Sequence, residues 1–590
     1  MPNDLLAAIS PALPWPGNLT DTILPWFLTL TVARTLYCRL GRLVGFFSPG
    51  HYRYFTWAWL PWRWPLRRMW LPLAFWFEEL KFGDKATARL AGHFETAAHI
   101  YQPGQIYVGR FRPLNIGWLG SQPIGLSGES GGHLAMFGKT GGSKTTQVIT
   151  LLSLHRGNAY VIDPKGQMAR VLGPVFRRRG KKVCILDPRG QVKGHRRHRW
   201  SPFEELHRAA ERAILEGRDP AAAVIALATT MVDGIVVRHP KDNPFWPDSA
   251  KDFLLGVVLW MYSELPRSEQ TLARLYDLVT RGLPEGVKDA AKETGFSVFL
   301  YELSRCRAFG GVVAQSASSV AGGARETIAN VMSTVRVQLQ WLKNPELREC
   351  SSASDFYLDE LKTGDMVLFV CAKLEDVRQT FPGWFRLLTV MALSTFEDVP
   401  STRRDKTLFV LDEFASLGKL ERLEVAANYA RSAGIRLFTI LQDLGQIAGG
   451  QGASPLYDNW ETFIGNTECC WWLQTEHQQT LQYLERKLGK RTVRKLIDGP
   501  SRWLVFSKRM RRHDIRDREV MTADQIRRFL GRGNMLVTRG QRAFKLKPDP
   551  YFQALAVWQY EPDPDFREAF LRAALRRTIA WTSQRAQKAS

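Results

Sequence analysis

The run Gly138-Lys139-Thr140-Gly141-Gly142-Ser143-Lys144-Thr145-Thr146 follows directly on the apolar stretch Leu134-Ala135-Met136-Phe137. Strand, glycine-rich turn, then helix start is the order of folds in which a strand delivers a phosphate-binding loop. In such a loop glycines let backbone N–H groups converge on phosphate oxygens, a lysine reaches the β- and γ-phosphates, and a Ser or Thr hydroxyl ligates Mg²⁺. Lys144 and Thr145 stand in those two places, with Gly138, Thr140, Gly141, Gly142, Ser143 and Thr146 forming the rest of the cradle. The usual pattern has glycine immediately before the lysine. Here Ser143 stands there and must accept whatever torsion the loop demands. Taken alone, the stretch also suits a βα turn that binds nothing.

A second segment narrows the choice. Thr407-Leu408-Phe409-Val410-Leu411 is a continuous apolar run of the kind found in a parallel strand buried on both faces, and it delivers Asp412-Glu413 at its C-terminal end. Ligands of open α/β sheets bind at that edge. An Asp there can hold Mg²⁺ through water, and a neighbouring Glu can orient or deprotonate the water that attacks a γ-phosphate. The two segments together make ATP with Mg²⁺ the expected ligand, Thr145 and Asp412 the expected metal contacts, and an α/β nucleotide-binding fold the expected class.

At 590 residues the chain exceeds one simple core, and roughly three to four domains are expected. A formal net charge of +24 points to an anionic partner, nucleic acid or an acidic membrane face. The seven cysteines form no CxxC pair and have no histidines at ligand spacing, which argues against zinc and against a disulfide framework. Eight of the twenty tryptophans fall in the first eighty residues, among arginines and prolines. The apolar run 22–33 is short of the ~20 residues a spanning helix needs. The longer run 55–77 is interrupted by Arg63, Arg67 and Arg68 and by Pro61, Pro65 and Pro72. Rings mixed with arginines suit the lipid headgroup zone, so membrane association is expected, with spanning left open. An aromatic-rich packing surface is the alternative. No short apolar core is followed by a small-residue cleavage site, so no cleavable signal peptide is expected.

Strand and helix alternate from Leu134. Runs 158–162 and 183–186 both end in Asp-Pro, with a helix-length segment (167–179) between them, which implies parallel strands with their tips on one edge. From 203 to about 315 the pattern is helical, over 204–216, 220–232, 249–264, 270–280 and 285–294. Strands are expected again at 366–370, 407–411, 437–441, 462–464 and 534–537. The reading divides the chain into a membrane-associated segment 1–82, a nucleotide-binding domain in two parts (83–202 and 316–560), an all-α domain 203–315 between them, and a basic helical tail 561–590.

Ordered blocks make the pattern more specific. They are Thr87-Ala88-Arg89-Leu90-Ala91, the Gly138 loop, Val161-Ile162-Asp163-Pro164-Lys165-Gly166-Gln167 and Asp187-Pro188. They continue with Leu411-Asp412-Glu413-Phe414-Ala415-Ser416-Leu417-Gly418-Lys419-Leu420, Leu441-Gln442-Asp443-Leu444-Gly445-Gln446-Ile447 and Arg518-Glu519-Val520-Met521-Thr522. In these blocks, over about 83–551, the chain resembles the type IV coupling proteins, the TraG-like ring ATPases of conjugation and type IV secretion. The extension after Asp412-Glu413 separates that family from P-loop enzymes at large.

The resemblance implies a RecA-like P-loop domain interrupted by an all-α domain. It also implies a homo-hexameric ring at the cytoplasmic face of the bacterial inner membrane, pumping single-stranded DNA without sequence preference. Partners implied are a relaxase and type IV secretion components. The front end departs from the family's two spanning helices, and Ser143 departs from its loop. Under the resemblance Lys144 neutralises phosphate charge, Glu413 activates water, and Gln442 senses the γ-phosphate. Arg431 or Arg436 enters a neighbouring subunit's site as an arginine finger. Lys165 contacts nucleotide or an adjacent subunit, or is a solvated loop lysine. The basic runs 177–182 and 193–199 either contact DNA phosphates or are solvated faces. Two other functions fit the same residues: a cytosolic ring DNA translocase, and a nucleotide-binding docking platform for secreted proteins.

Overall fold

The computed structural model describes residues 89–562 apart from 113–120, 129–131, 239–242, 284–294, 322–324, 374, 401–405, 419–432, 450–454, 458–459, 497–512 and 556–558. The expected membrane segment 1–82, the helix 285–294 and the tail from 563 lie outside these residues. Among the described residues no helix is long and apolar enough to cross a membrane.

The strands run in chain order β1 (Ile106–Phe111), β2 (Gln122–Leu126), β3 (His133–Phe137), β4 (Ala159–Asp163), β5 (Lys182–Leu186), β6 (Met366–Cys371), β7 (Thr407–Leu411), β8 (Ile435–Leu441), β9 (Thr467–Trp472), β10 (Lys490–Leu496), β11 (His513–Glu519), β12 (Met535–Arg539) and β13 (Arg542–Leu546). Nine of them form one sheet in the order β13-β12-β9-β3-β8-β7-β4-β6-β5, and β1-β2 and β10-β11 are separate antiparallel ribbons. From β9 to β5 every neighbouring pair is parallel, while β12 and β13 close the far edge antiparallel. All parallel strands therefore present their C-terminal tips along one line.

Why these segments become strands follows from burial on both faces, which demands continuous apolar runs. Period two then sorts each strand between two cores. Leu134 and Met136 of β3 enter one apolar cluster, with Val148, Leu152 and Leu172 of the helices Lys144–Leu154 and Gln167–Arg178. Ala135 and Phe137 enter the other, with Leu388 and Ala392 of the helix Pro382–Asp398.

Between β5 and β6 the described residues carry helices and no strand. The helical run extends from Pro202 to Thr363, past the expected end at 315, because Val313, Ala317, Val331 and Val335 join Val257, Leu275 and Phe299 in one buried cluster. One strand expectation is corrected: 462–464 lies in the helix Trp460–Gly465, and the strand is the next segment, β9. Thr, Phe and Ile favour strands, but placement decides. It is Cys469, Cys470, Trp471 and Trp472 that pair with β3 and fill both cores.

Candidate active site

The loop after β3 is fastened to both neighbouring strand ends. The Gly138 N–H donates to the Leu441 carbonyl at 3.2 Å, and the Lys139 N–H to the Gln474 carbonyl at 2.8 Å. The glycines are there for space and torsion. A Cβ at Gly138 would come within 2.8 Å of the Leu473 Cβ, one at Gly142 within 2.9 Å of the Lys139 carbonyl, and Gly141 sits at φ +78°. Ser143 accepts the torsion that the missing glycine would have taken, φ +65° and ψ +18°. For a residue with a Cβ that left-handed conformation costs about 1–2 kcal/mol.

The helix starts at Lys144, so its positive N-terminal end opens on the loop. Thr145 lies in its first turn and is half-buried, while the Thr146 hydroxyl is turned back onto the Ser143 carbonyl at 2.9 Å. Thr140 is exposed on the loop. The Lys144 ammonium donates to the Gly138 carbonyl. Burial lowers the Lys144 pKa, and the carboxylates of Glu413 and Asp412 push it back up.

Those carboxylates arrive as expected on the tip of β7. The order of tips is then informative. Reading along the sheet, β3 brings the loop, β8 brings Gln442, β7 brings Asp412 and Glu413, β4 brings Asp163, and beyond β6 comes the turn carrying Arg378. Gln442 thus sits between the loop and the acidic pair. Its Nε2 lies 3.4 Å from Glu413 Oε1, and its own N–H is capped by Gln446 Oε1 at 2.8 Å. Glu413 is a second non-glycine residue in the left-handed region, at φ +54° and ψ +42°, and its N–H donates to Asp412 Oδ1 at 3.1 Å. Strain of this kind concentrates where geometry is being imposed.

Burial and the Glu413 charge push the Asp412 carboxyl up to about 6, against the pull of Lys144. On the adjacent strand Asp163 is buried and pushed up to about 7, first by desolvation and then, against its backbone hydrogen bonds, by Asp412. Its Oδ2 accepts the Ala169 N–H at 2.8 Å. Two carboxyls thus stand on neighbouring tips, Asp412 raising the pKa of Asp163, a repulsion that a hard cation between them would relieve by favouring the ionised forms. Asp163 and Arg378 were not singled out from sequence. The Asp-Pro at 163–164 was visible as a strand end and as part of a family block but with no role assigned to it, and nothing in the order of residues around 378 foretold its neighbour.

Lys165, exposed on the β4 loop, is close enough for its charge to be felt at both Lys144 and Asp412. Arg431 lies outside the described residues. Arg436 is set at the opposite end of β8, where its guanidinium reaches the Gly128 carbonyl at 2.8 Å and the buried Glu468 at 3.5 Å. Those partners commit it within its own chain. Both basic runs are also largely engaged: Arg177 with His195, Arg179 with backbone carbonyls, Lys181 with Asn158, Lys182 with Glu360, Arg196 and Arg199 with Asp355.

With this geometry in place, comparison with known proteins decides the family. The family described as "Type IV secretory system Conjugative DNA transfer" matches residues 90–585. The chain belongs to that family. Among curated relatives, "Conjugal transfer protein TraG" of Agrobacterium fabrum is 25% identical over 415 residues, 69% of this chain and 58% of TraG. "Protein VirD4" of the same organism is 22% identical over 441 residues, 74% of this chain and 60% of VirD4. The chain therefore spans about three fifths of the length of these two relatives. Among solved structures, the bacterial conjugative coupling protein TrwBdeltaN70 aligns with a TM-score of 0.57 at 17% identity, over 82% of this chain and 97% of that one. TrwB in complex with ADP and Mg²⁺ aligns at 0.55 and 18% identity, over 79% and 94%. These likenesses show the α/β P-loop fold.

Proposed function

We propose that this member of the conjugative DNA transfer family is a type IV coupling ATPase that splits ATP to move DNA into a type IV secretion channel. One observation carries the reading. The Lys144 loop and the Asp412-Glu413 pair lie on strand tips separated only by the Gln442 tip, close enough for Lys144 and Asp412 to shift each other's ionisation.

The residues fit a magnesium–nucleotide ligand: a cradle that tolerates no Cβ at Gly138 or Gly142, a lysine at its mouth, and carboxylates held above their ordinary range. Thr145 and Asp412 would hold Mg²⁺, which supplies charge neutralisation when bound. Backbone N–H groups of 140–146 and the Lys144 ammonium bind phosphate oxygens, and Lys144 leaves the Gly138 carbonyl for them. Glu413 takes a proton from water, and the Gln442 amide fixes which way its carboxylate faces. The fold's solved neighbours TrwB bind ADP with Mg²⁺ and a non-hydrolysable ATP analogue, which supports the same ligand here.

The wider reading rests on the family. It comprises a RecA-like domain with an all-α domain inserted after β5, a homo-hexameric ring, the inner membrane reached through residues 1–82, and a relaxase and secretion components as partners. The deciding experiment is ATP turnover by the full chain with and without single-stranded DNA, for the native protein and Lys144→Ala. Turnover stimulated by DNA and lost in Lys144→Ala is expected. Nucleotide binding without turnover in either protein would favour a docking platform.

A further inference from the structure

Glu413 is flanked on both sides along the row of tips, by an amide on one side and a guanidinium on the other. On the nucleotide side Gln442 Nε2 stands 3.4 Å from Oε1, and on the far side Arg378 Nη2 stands 3.8 Å from Oε2. Arg378 reaches across from beyond β6, so β4 lies between its element and β7. It belongs to a single π-type turn, Asp376–Thr380, a conformation that recurs at functional sites.

That turn is anchored to an unusual degree for so short an element. Arg189, just past the tip of β5, makes a two-pronged contact with the buried Asp376, Nε to Oδ2 at 3.1 Å and Nη2 to Oδ1 at 2.8 Å. The same guanidinium lies over the Phe381 ring at 5.1 Å and donates to Glu346 of the helical run at 2.9 Å. The Phe381 N–H closes the turn on the Asp376 carbonyl at 2.6 Å. A bidentate arginine–carboxylate pair fixes direction as well as distance, so the turn carrying Arg378 is rigid where it meets the site.

We infer that Arg378 is a positioning residue for the water-activating carboxylate of Glu413: by holding Oε2 it keeps Oε1 beside Gln442, on the side of the phosphate loop. The inference rests on the reading of Glu413 as the base. Arg378 is half exposed, and an ion pair of that kind adds little to stability. Its removal should therefore be felt in turnover and not in folding.

The test is steady-state ATP hydrolysis by the full chain with Mg²⁺ and single-stranded DNA, comparing native protein with Arg378→Ala, Arg378→Lys and Asp376→Asn. Nucleotide affinity is measured in parallel with a non-hydrolysable ATP analogue, and folding by thermal melting. Because a positioned base contributes a hundredfold or more in total, losing its orientation in Arg378→Ala should lower kcat by roughly tenfold. KM, analogue affinity and melting midpoint should stay as in the native chain, and Arg378→Lys should recover much of the loss. Asp376→Asn, which loosens the anchor without touching Arg378, should fall between. Native kcat in Arg378→Ala, a rise in KM with kcat intact, or a lysine variant no better than alanine would each overturn the inference. If the native chain itself binds nucleotide without turnover, the reading of Glu413 as a base fails, and this inference with it. A native chain that turns over while Arg378→Ala matches it condemns Arg378 alone.

Discussion

At the scale of single residues, the site is built on two side chains held in a backbone region that disfavours them. Ser143 and Glu413 both lie in the left-handed region, at φ +65° and +54°. For Ser143→Gly the relief of strain is offset by the greater freedom of glycine in the unfolded chain, so the melting midpoint should barely move. Ser143→Val puts a β-branched residue where it is least tolerated. Nucleotide affinity should then collapse while the Gly variant keeps it, and equal affinities in the two variants would show that the torsion is unimportant. The carboxyls give a pH signature. Asp412 and Asp163 titrate near 6 and 7 in the folded chain against an ordinary value of 3.8, so between about pH 4 and 7 the folded state binds more protons than the unfolded. Stability therefore falls as pH rises through that window. Asp412→Asn removes one such carboxylate and the repulsion it exerts on Asp163. Without nucleotide its melting midpoint should exceed the native one at pH 8, by an amount equivalent to roughly 2–3 kcal/mol, with about half of that difference left at pH 5 and little below about pH 4. A native midpoint that does not change with pH would contradict this.

At the scale of elements, what could be read in advance was whatever depends on local order. The runs at 407–411 and 366–370 are apolar throughout because a strand covered on both faces has no solvent side, and both emerge as β7 and β6. The β3 loop, its lysine and the acidic pair were legible for the same reason: loop chemistry demands fixed types at fixed spacing. What was not legible depends on partners distant in sequence. β9 is polar at Glu468 and carries paired cysteines, yet it becomes the neighbour of β3 because Trp471 and Trp472 fill opposite cores. Arg436 looked suitable for a neighbouring subunit until Glu468, shared with Arg539 at 2.8 Å, was seen to hold it. Arg378 meets Glu413 only because β4 and β6 entered the sheet beyond β7. Elements also set what Lys144→Ala should do. The Lys144 ammonium meets the Gly138 carbonyl, and the loop's own ties run through backbone groups of Leu441 and Gln474. The variant should keep the native melting midpoint while losing ATP hydrolysis, and a variant that unfolds would show that the lysine props the loop.

At the scale of the whole molecule, the question is where an excess of +24 is available to an anionic partner. The runs 177–182 and 193–199, the obvious choices in sequence, are mostly tied to groups of their own chain. The β10-β11 ribbon is another candidate. It stands apart from the main sheet, and its register sets Arg491 directly opposite Arg518, both exposed. Like charges at directly opposed positions weaken a ribbon unless an anion sits against them. If the anion is the phosphate backbone of single-stranded DNA, affinity must fall linearly on a log–log plot against salt, by about 0.7 per phosphate neutralised. Arg491→Ala together with Arg518→Ala should then weaken binding at low salt and flatten that slope by about 1.4, two contacts at the single-strand value. Lys182→Ala serves as the control, since its ammonium is held by Glu360 at 2.7 Å and should leave the slope alone. The measurement is fluorescence anisotropy of a labelled oligonucleotide across a salt series. Equal slopes in the native chain and the double variant would place the DNA elsewhere, and a native slope near zero would assign the charge to lipid or protein partners.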